Sequence, residues 1–336
     1  MAKYNVLVTI PQPLRDEILT AETLERLQSF ANVVLNEDGR NWTAEELADK
    51  LPGMDAILAS WGLPKLTEEV LAKADRLRIV AYAAGSVKYF VTDALFQRGI
   101  VVTHAASRIA DSVAEFALLL AMIGLRFPHE FDRRMKAGEP WPRRDVFPFP
   151  EREIAKRKVG ILGMGYVGRR AARLFQGVGA EVWAYDPYLP EEQAKELGVR
   201  KVDLDTLLSQ CEVISIHLPT TPETHHMLGA REFSLVQDGA ILVQTARSWV
   251  WDEEALLKEL QQGRFWAAID VYDQEPLPED HPFRKLSNVF LTPHVAGRTV
   301  DSYQSLTAEV VGDLERFFNG QPLLHQISPE KLAIMA

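Results

Sequence analysis

One cysteine stands in 336 residues, so no disulfide can form within the chain. Cys211 lies in an apolar run ahead of a strand-like segment, the setting of a buried, inert thiol in a reducing compartment. Long apolar runs are missing as well. The longest, Phe116 to Leu125, is too short to span a bilayer and follows Glu115. The opening residues, MAKYNVLVTI, read directly as a strand and lack the layout of a signal peptide, so a cytoplasmic protein without a membrane partner is expected. Positive charge is scarce: the net charge of −10 argues against nucleic acid as the main partner, while a small anion needs only a local positive site. No internal repeat or low-complexity segment appears. What remains is ordinary for a globular chain, 47% hydrophobic and 25% charged, and its length favours two domains over one.

The stretch that organises the chain runs from Lys158 to Asp186, KVGILGMGYVGRRAARLFQGVGAEVWAYD. An apolar run, Val159 to Leu162, turns through Gly163, Met164 and Gly165 into a segment with helical spacing at Val167, Ala171, Leu174 and Phe175. A second apolar run, Glu181 to Tyr185, ends on Asp186. Strand, glycine turn, helix, strand, acid is the layout of a dinucleotide-binding unit. Gly163 permits the tight turn, Gly165 lets the backbone approach a pyrophosphate, and Gly168 lets the helix pack close to the strand. The phosphates then meet free N–H groups at the helix N-terminus. Asp186 lies eighteen residues past Gly168, where an acceptor for ribose hydroxyls is needed. Its charge repels a 2′-phosphate, and Pro187 and Tyr188 supply no cation, so NAD is expected rather than NADP.

Before that motif the chain alternates strand and helix. Strands are expected at Tyr4–Ile10, Val33–Leu35, Ala56–Ala59, Arg78–Tyr82 and Val101–Val102, with an N-cap at Thr43 ahead of Glu45 and Glu46. The pattern describes a parallel sheet covered by helices on both faces. Asp111 to Leu125 reads as a long apolar helix opened by Asp111 or Ser112, joining the domains. Between Arg126 and Arg152, Pro128, Pro140, Pro142, Pro148 and Pro150 are expected to break any regular element, and Phe127, Trp141, Phe147 and Phe149 suit an arm packed on a second subunit. After the motif, strands are expected at Val213–Leu218, Ala240–Gln244, Ala267–Asp270 and Val289–Leu291, six in this domain in all. Gly297 to Asn319 forms a closing helix, with Gly320 and Pro322 beyond it, that crosses back to the first domain.

Ligands of open α/β sheets bind beyond the carboxyl ends of the strands. Arg247, Glu275 and His294 all fall there. An arginine fork fits a carboxylate with two parallel hydrogen bonds. A histidine can give a proton to a carbonyl oxygen as hydride arrives, and a carboxylate beside it fixes its tautomer and favours its protonated form. Taken singly, each has a plain alternative: a solvated charge, a loop carboxylate before Pro276, a helix-entry histidine. Their joint placement favours catalysis.

These residues and their surroundings resemble the D-isomer-specific 2-hydroxyacid dehydrogenases. The matching text is ILGMGYVG, YDPYLPEE, ISIHLPTTPET, QTARSWVWDEEAL, AAIDVYDQEPLPEDHPF and LTPHVAG, covering Val113 to Gly297, with a fainter match at AAGSV. The resemblance implies two doubly wound parallel-sheet α/β domains: a Rossmann NAD domain, residues 111–296, inserted into a discontinuous flavodoxin-like substrate domain, residues 1–110 and 297–336. It further implies Arg247, Glu275 and His294 as the catalytic set. NAD would lie against Gly163, Gly165, Tyr166, Val167, Gly168 and Asp186, and also against His217, Pro219, Thr245, Ala246 and Asp270. A small 2-keto or 2-hydroxy acid would meet Gly85, Ser86 and Arg247; no metal is called for, and a homodimer is implied.

Four positions depart from the family pattern. Ser248 and Trp249 follow the arginine where glycine and a small residue are usual, and Val87 and Lys88 stand where the substrate loop commonly has an acid. YDPYLPEE looks most like phosphoglycerate dehydrogenases and hydroxypyruvate/glyoxylate reductases, although the chain leaves no room for the regulatory domain of many of the former. Glu275 argues against the formate dehydrogenase branch. A phosphite-type dehydrogenase keeps the same three residues, and NAD-sensing corepressors are a non-catalytic alternative within the same family.

Overall fold

The computed structural model describes residues 4–142 and 149–335. The chain divides into two compact units, residues 1–109 with 298–336, and residues 110–297.

The first unit is built on β1 (Tyr4–Val8), β2 (Ala31–Leu35), β3 (Ala56–Ala59), β4 (Ile79–Tyr82) and β5 (Val101–His104). These five lie parallel in the order β2-β1-β3-β4-β5, the flavodoxin-like order. Every residue of β3 and β4 is buried, as expected of central strands covered on both faces. The expected capping box is present: Thr43 Oγ1 accepts from the Glu46 N–H at 3.3 Å, and Glu46 Oε2 accepts from the Thr43 N–H at 2.8 Å. The closing helix, Val300–Phe318, is capped by Thr299 and buries Leu306, Val310, Val311 and Leu314 against Val6, Val8 and Ile18. Beyond it Gly320 takes φ +67°, as a C′ glycine should. A strand unforeseen from sequence follows: Gln326–Ile327 (β13) pairs antiparallel with β5, so this sheet is not wholly parallel.

Two expectations fail in the connecting region. The long helix is Ala106–Arg126 and starts five residues before Asp111, because the turn forms directly off β5, where the Arg108 N–H meets the Ala105 carbonyl. Asp111 is therefore no cap; its carboxylate pairs with Arg170. Pro128 breaks nothing either. It opens a helix, Pro128–Lys136, at the one position where its missing N–H costs nothing and its fixed φ helps. Phe147 and Pro148 of the expected arm lie outside the described residues.

The second unit holds β6 (Lys158–Leu162), β7 (Glu181–Tyr185), β8 (Arg200–Lys201), β9 (Val213–Ile216), β10 (Ile241–Gln244), β11 (Trp266–Ile269) and β12 (Val289–Leu291). All are parallel, in the order β8-β7-β6-β9-β10-β11-β12. That is the Rossmann order extended by a seventh strand, with the reversal between β6 and β9. Six strands were expected; β8, two residues long, is too short to leave a pattern. Cys211 is fully buried, and burial pushes its thiol up to about 12, so it is inert.

The long helix packs on this sheet through Gly124, where an added Cβ would meet Trp266 Cε3 at 2.5 Å and Ile241 Cγ2 at 2.7 Å. Alanine in mid-helix gains roughly 1 kcal/mol over glycine, whereas overpacking a core costs about 1–3 kcal/mol. Gly124→Ala is expected to lower the urea midpoint of unfolding. A raised midpoint would show that Trp266 yields easily.

Candidate active site

The register of the second sheet lines up one residue beyond the end of each strand. Leu162 pairs with Ile216, Ile216 with Gln244, Gln244 with Ile269, and Ile269 with Leu291. Gly163, His217, Thr245, Asp270 and Thr292 therefore form a row along the carboxyl edge, where ligands of such sheets bind.

At the head of the row the three glycines differ in what they require. Gly163 takes φ +90° and sits so close to β9 that a Cβ would meet the His217 carbonyl oxygen at 2.7 Å. At Gly168 a Cβ would meet the Gly163 oxygen at 2.0 Å, so glycine there lets the helix Tyr166–Gly177 approach β6. At Gly165, the N-cap, a Cβ would meet nothing within 4 Å. Protein packing does not demand that glycine, whereas close approach of a ligand's phosphates would. Gly165 brings no side chain to cap this helix, and the N–H groups of a helix N-terminus favour a bound anion. Tyr166 is exposed beside them, and Val167 packs into the core.

Asp186 braces the turn as well as ending β7: Oδ2 accepts from the Met164 N–H at 2.7 Å and Oδ1 from the Tyr188 N–H at 2.8 Å. It lines a hollow of about 480 Å³ with Tyr185, Pro187, Glu191, Lys201, Val202 and Asp203. Lys201 comes from the unforeseen β8, so a cation does stand near Asp186, although its Nζ donates to the Leu189 carbonyl at 2.7 Å.

Further along the row, two polar atoms lack partners among the described residues, His217 Nδ1 and Thr245 Oγ1, and both are shielded from solvent. Burial pushes His217 down to about 3, so its ring is neutral at any ordinary pH, with Nε2 on Ser215 Oγ at 2.9 Å. Orphaned buried polar atoms need an explanation, and a polar ligand over this edge is one. Together with the open flank of Gly165, they fit a dinucleotide. The Pro219 carbonyl accepts from Thr224 Oγ1 at 2.6 Å, which folds the next loop back on itself.

Asp270 is fully buried and takes three hydrogen bonds. Oδ1 accepts from Thr292 Oγ1 at 2.5 Å and the Val295 N–H at 2.9 Å, and Oδ2 accepts from the Ala296 N–H at 2.9 Å. The loop it ties down carries His294, held at φ +53°, a conformation rare for a side chain of that size. His294 Nδ1 lies 2.7 Å from Glu275 Oε2, while Glu275 Oε1 accepts from the Tyr272 N–H at 3.0 Å. The imidazole is thus oriented through one nitrogen and presents the other; its side chain is 44% exposed.

Arg247 follows β10. Its guanidinium makes one hydrogen bond among the described residues, Nη1 to the Ala246 carbonyl at 2.6 Å. Burial disfavours its charge and Glu275 offsets part of that cost. The sequence reading missed what holds this turn. The buried Gln244 donates from Nε2 to the Arg247 carbonyl at 3.0 Å and accepts at Oε1 from the Ala246 N–H at 2.9 Å. A polar residue ending an otherwise apolar strand, ILVQ, was the available signal. Ser248 starts a short 3₁₀ turn without a positive φ, so glycine is not needed there. Trp249 packs aside: its indole N–H donates to the Thr221 carbonyl at 3.0 Å and its ring lies 4.2 Å from that of His225.

Gly85 and Ser86 belong to the first unit, just past β4. The Gly85 carbonyl lies 3.2 Å from Nδ1 of the buried His104.

The fold order and glycine turn define a dinucleotide-binding α/β protein. Residues 116–296 match the family of the D-isomer specific 2-hydroxyacid dehydrogenase, NAD binding domain. The chain is 33% identical over 305 residues to a glyoxylate reductase of Korarchaeum cryptofilum, spanning 89% of this chain and 90% of that one. It is 34% identical over 285 residues to a D-3-phosphoglycerate dehydrogenase of Archaeoglobus fulgidus, spanning 84% of this chain but only 53%, about half, of that longer one. A solved structure of a phosphoglycerate oxidoreductase from Rhizobium etli superposes with a TM-score of 0.81 at 28% identity, covering 98% of this chain and all (100%) of that one. The chain belongs to the D-isomer specific 2-hydroxyacid dehydrogenase family, and its second unit is the family's NAD-binding domain. Among the described residues no helix is long and apolar enough to cross a membrane.

The Asp270 anchor yields a test. Asparagine keeps the volume but must turn an N–H₂ toward one of the three donors. Misplacing a reacting group by an ångström can cost about 10²-fold in rate. Asp270→Asn is expected to lower kcat/KM by about that factor; an unchanged kcat/KM would show that the His294 loop holds its place without this carboxylate.

Proposed function

We propose that the chain is an NAD-dependent oxidoreductase that interconverts a small 2-keto acid and its D-2-hydroxy acid. The observation that carries this reading is the 2.7 Å contact of His294 with Glu275 on a loop fixed by Asp270, in the same unit as the sparsely paired Arg247. The residues proposed to hold NAD are Gly163, Gly165, Tyr166, Val167, Gly168, Asp186, His217, Pro219, Thr245 and Ala246. Bound NADH supplies the hydride. Arg247 holds the substrate carboxylate and carbonyl oxygen through its fork. His294 gives its outward nitrogen's proton to the oxygen as negative charge grows there, and takes it back in oxidation. Glu275 orients the ring through its contact with Nδ1. Asp270, with its oxygens on the His294 loop, is a positioning residue whatever else it contacts.

The first unit serves in this reading as the substrate domain. The buried thiol of Cys211 supports a reducing, cytoplasmic setting. A homodimer is supported by apolar side chains left on one stretch of the second unit, Leu119 (49% exposed), Met122 (42%), Met135 (53%) and Trp141 (82%). Light scattering is expected to give twice the 37.8 kDa chain mass, and a single-chain mass would refute the dimer.

The reaction itself is tested by offering 2-keto acids with NADH and with NADPH while following cofactor absorbance. His294→Ala is expected to lower kcat/KM by about 10²–10⁴-fold while NADH binding survives. Unchanged kcat/KM in this variant would sink the mechanism. Better use of NADPH than NADH would overturn the role given to Asp186.

A further inference from the structure

In the glycine turn of the second unit, Met164 stands between two glycines, residues that lose more conformational freedom on folding than any other. The peptide group on each side of Met164 is nevertheless held by a charged side chain. Ahead of it, the Met164 N–H donates to Asp186 Oδ2 at 2.7 Å. Behind it, the Met164 carbonyl accepts from Arg169 Nε at 2.8 Å. Arg169 reaches back from the first turn of the helix Tyr166–Gly177, where its own N–H donates to the Gly165 carbonyl at 3.1 Å.

The outer arm of the same guanidinium runs to a different wall, Nη2 donating to Gln193 Oε1 at 2.9 Å. Gln193 belongs to the helix Glu191–Glu196, whose first residue lines the hollow that contains Asp186. One half-buried side chain thus ties the glycine turn to the wall of that hollow. Its neighbours on the helix turn elsewhere: Arg170 pairs with Asp111, and Arg173 is exposed one turn further along. A planar trans peptide points its carbonyl and its N–H in opposite directions. The Met164 carbonyl and the Gly165 N–H share one such plane, so fixing the carbonyl on Arg169 also fixes where that N–H points. Gly165 is the N-cap residue whose open flank fits the close approach of a phosphate.

We propose that Arg169 is a positioning residue for the dinucleotide. Through the Met164 carbonyl it directs the Gly165 N–H for a phosphate, and through Gln193 it holds the wall of the adjoining hollow. The proposal rests on the NAD-binding reading of the glycine turn and adds to it a residue that lies outside the pattern of three glycines and an acid.

The test reads binding before turnover, by titrating the full chain into NADH and following the cofactor's fluorescence. Arg169→Ala is expected to raise the Kd for NADH by about 10-fold or more, the scale of a hydrogen bond from a charged donor. KM for NADH should rise with it while kcat at saturating NADH changes far less, the mark of lost binding rather than lost chemistry. Arg169→Lys keeps a cationic donor for the Met164 carbonyl and should recover most of the affinity. Gln193→Ala leaves Arg169 in place but frees its outer arm; it should weaken NADH by a smaller factor, and it carries the test if Arg169→Ala does not fold. Arg173→Ala removes an exposed charge from the same helix and is expected to bind NADH as the native chain does. Native affinity in Arg169→Ala, or in Gln193→Ala where the former does not fold, overturns the proposal. So do equal weakening in Arg173→Ala and a lysine variant that binds no tighter than the alanine one. Failure of the native chain to bind NADH overturns the cofactor placement as well.

Discussion

The loop that carries His294 depends on one buried carboxylate. Asp270 has no exposed surface, and its three hydrogen bonds go to the loop that bears His294. Taking a carboxylate out of water costs several kcal/mol after relaxation, and each hydrogen bond to a charged group returns about 1.5–3 kcal/mol. The two sides nearly cancel, so Asp270 adds little to stability. What it gains is definition: the loop has one arrangement in which all three donors are satisfied, and in it His294 occupies a left-handed conformation that free peptide avoids.

The same device recurs along the sheet edge. The turns that follow β7, β10 and β11 are each held by a polar side chain that reaches back to the backbone. Asp186 beyond β7 takes the Met164 N–H of the glycine turn, Gln244 at the end of β10 clasps Ala246 and Arg247, and Glu275 takes the Tyr272 N–H while facing His294. Loops at the edge of a parallel sheet are otherwise its least restrained parts. Here the turns beside Gly163, Arg247 and His294 are fixed by such bonds, which suits the proposed alignment of hydride and proton transfer.

How much of this was legible beforehand follows from how local each signal is. The glycine turn could be read because strand, turn and helix patterns follow one another within a few residues, and the cap at Thr43 because the capping group and its partner are three residues apart. Parallel sheets covered by helices could be anticipated from alternation alone, and the two fold types only from the family resemblance. Failures arose where the deciding partner is distant or the element is short. β8 has two residues and no periodicity, and with it went Lys201, which no scan of the residues after Asp186 could place in the same hollow. The helix Ala106–Arg126 begins early because β5 feeds straight into it, which its polar first turn disguised. Pro128 was read as a breaker when its meaning depends on position: the same ring that ends a helix interior begins one at N1.

The charged candidates show the sharper limit. Arg247, Glu275 and His294 were each ambiguous alone, and residue type gave no way to rank a catalytic histidine above a helix-entry one. What separates the readings is the geometry that surrounds them: a buried aspartate spent on the histidine's loop, a glutamine spent on the arginine's turn, and a guanidinium left with a single backbone acceptor. Side chains that only satisfied themselves would need no such scaffolding. Asp270 and Gln244 are buried to hold neighbours that stay partly open to solvent, an arrangement that supports the proposed roles of Arg247 and His294.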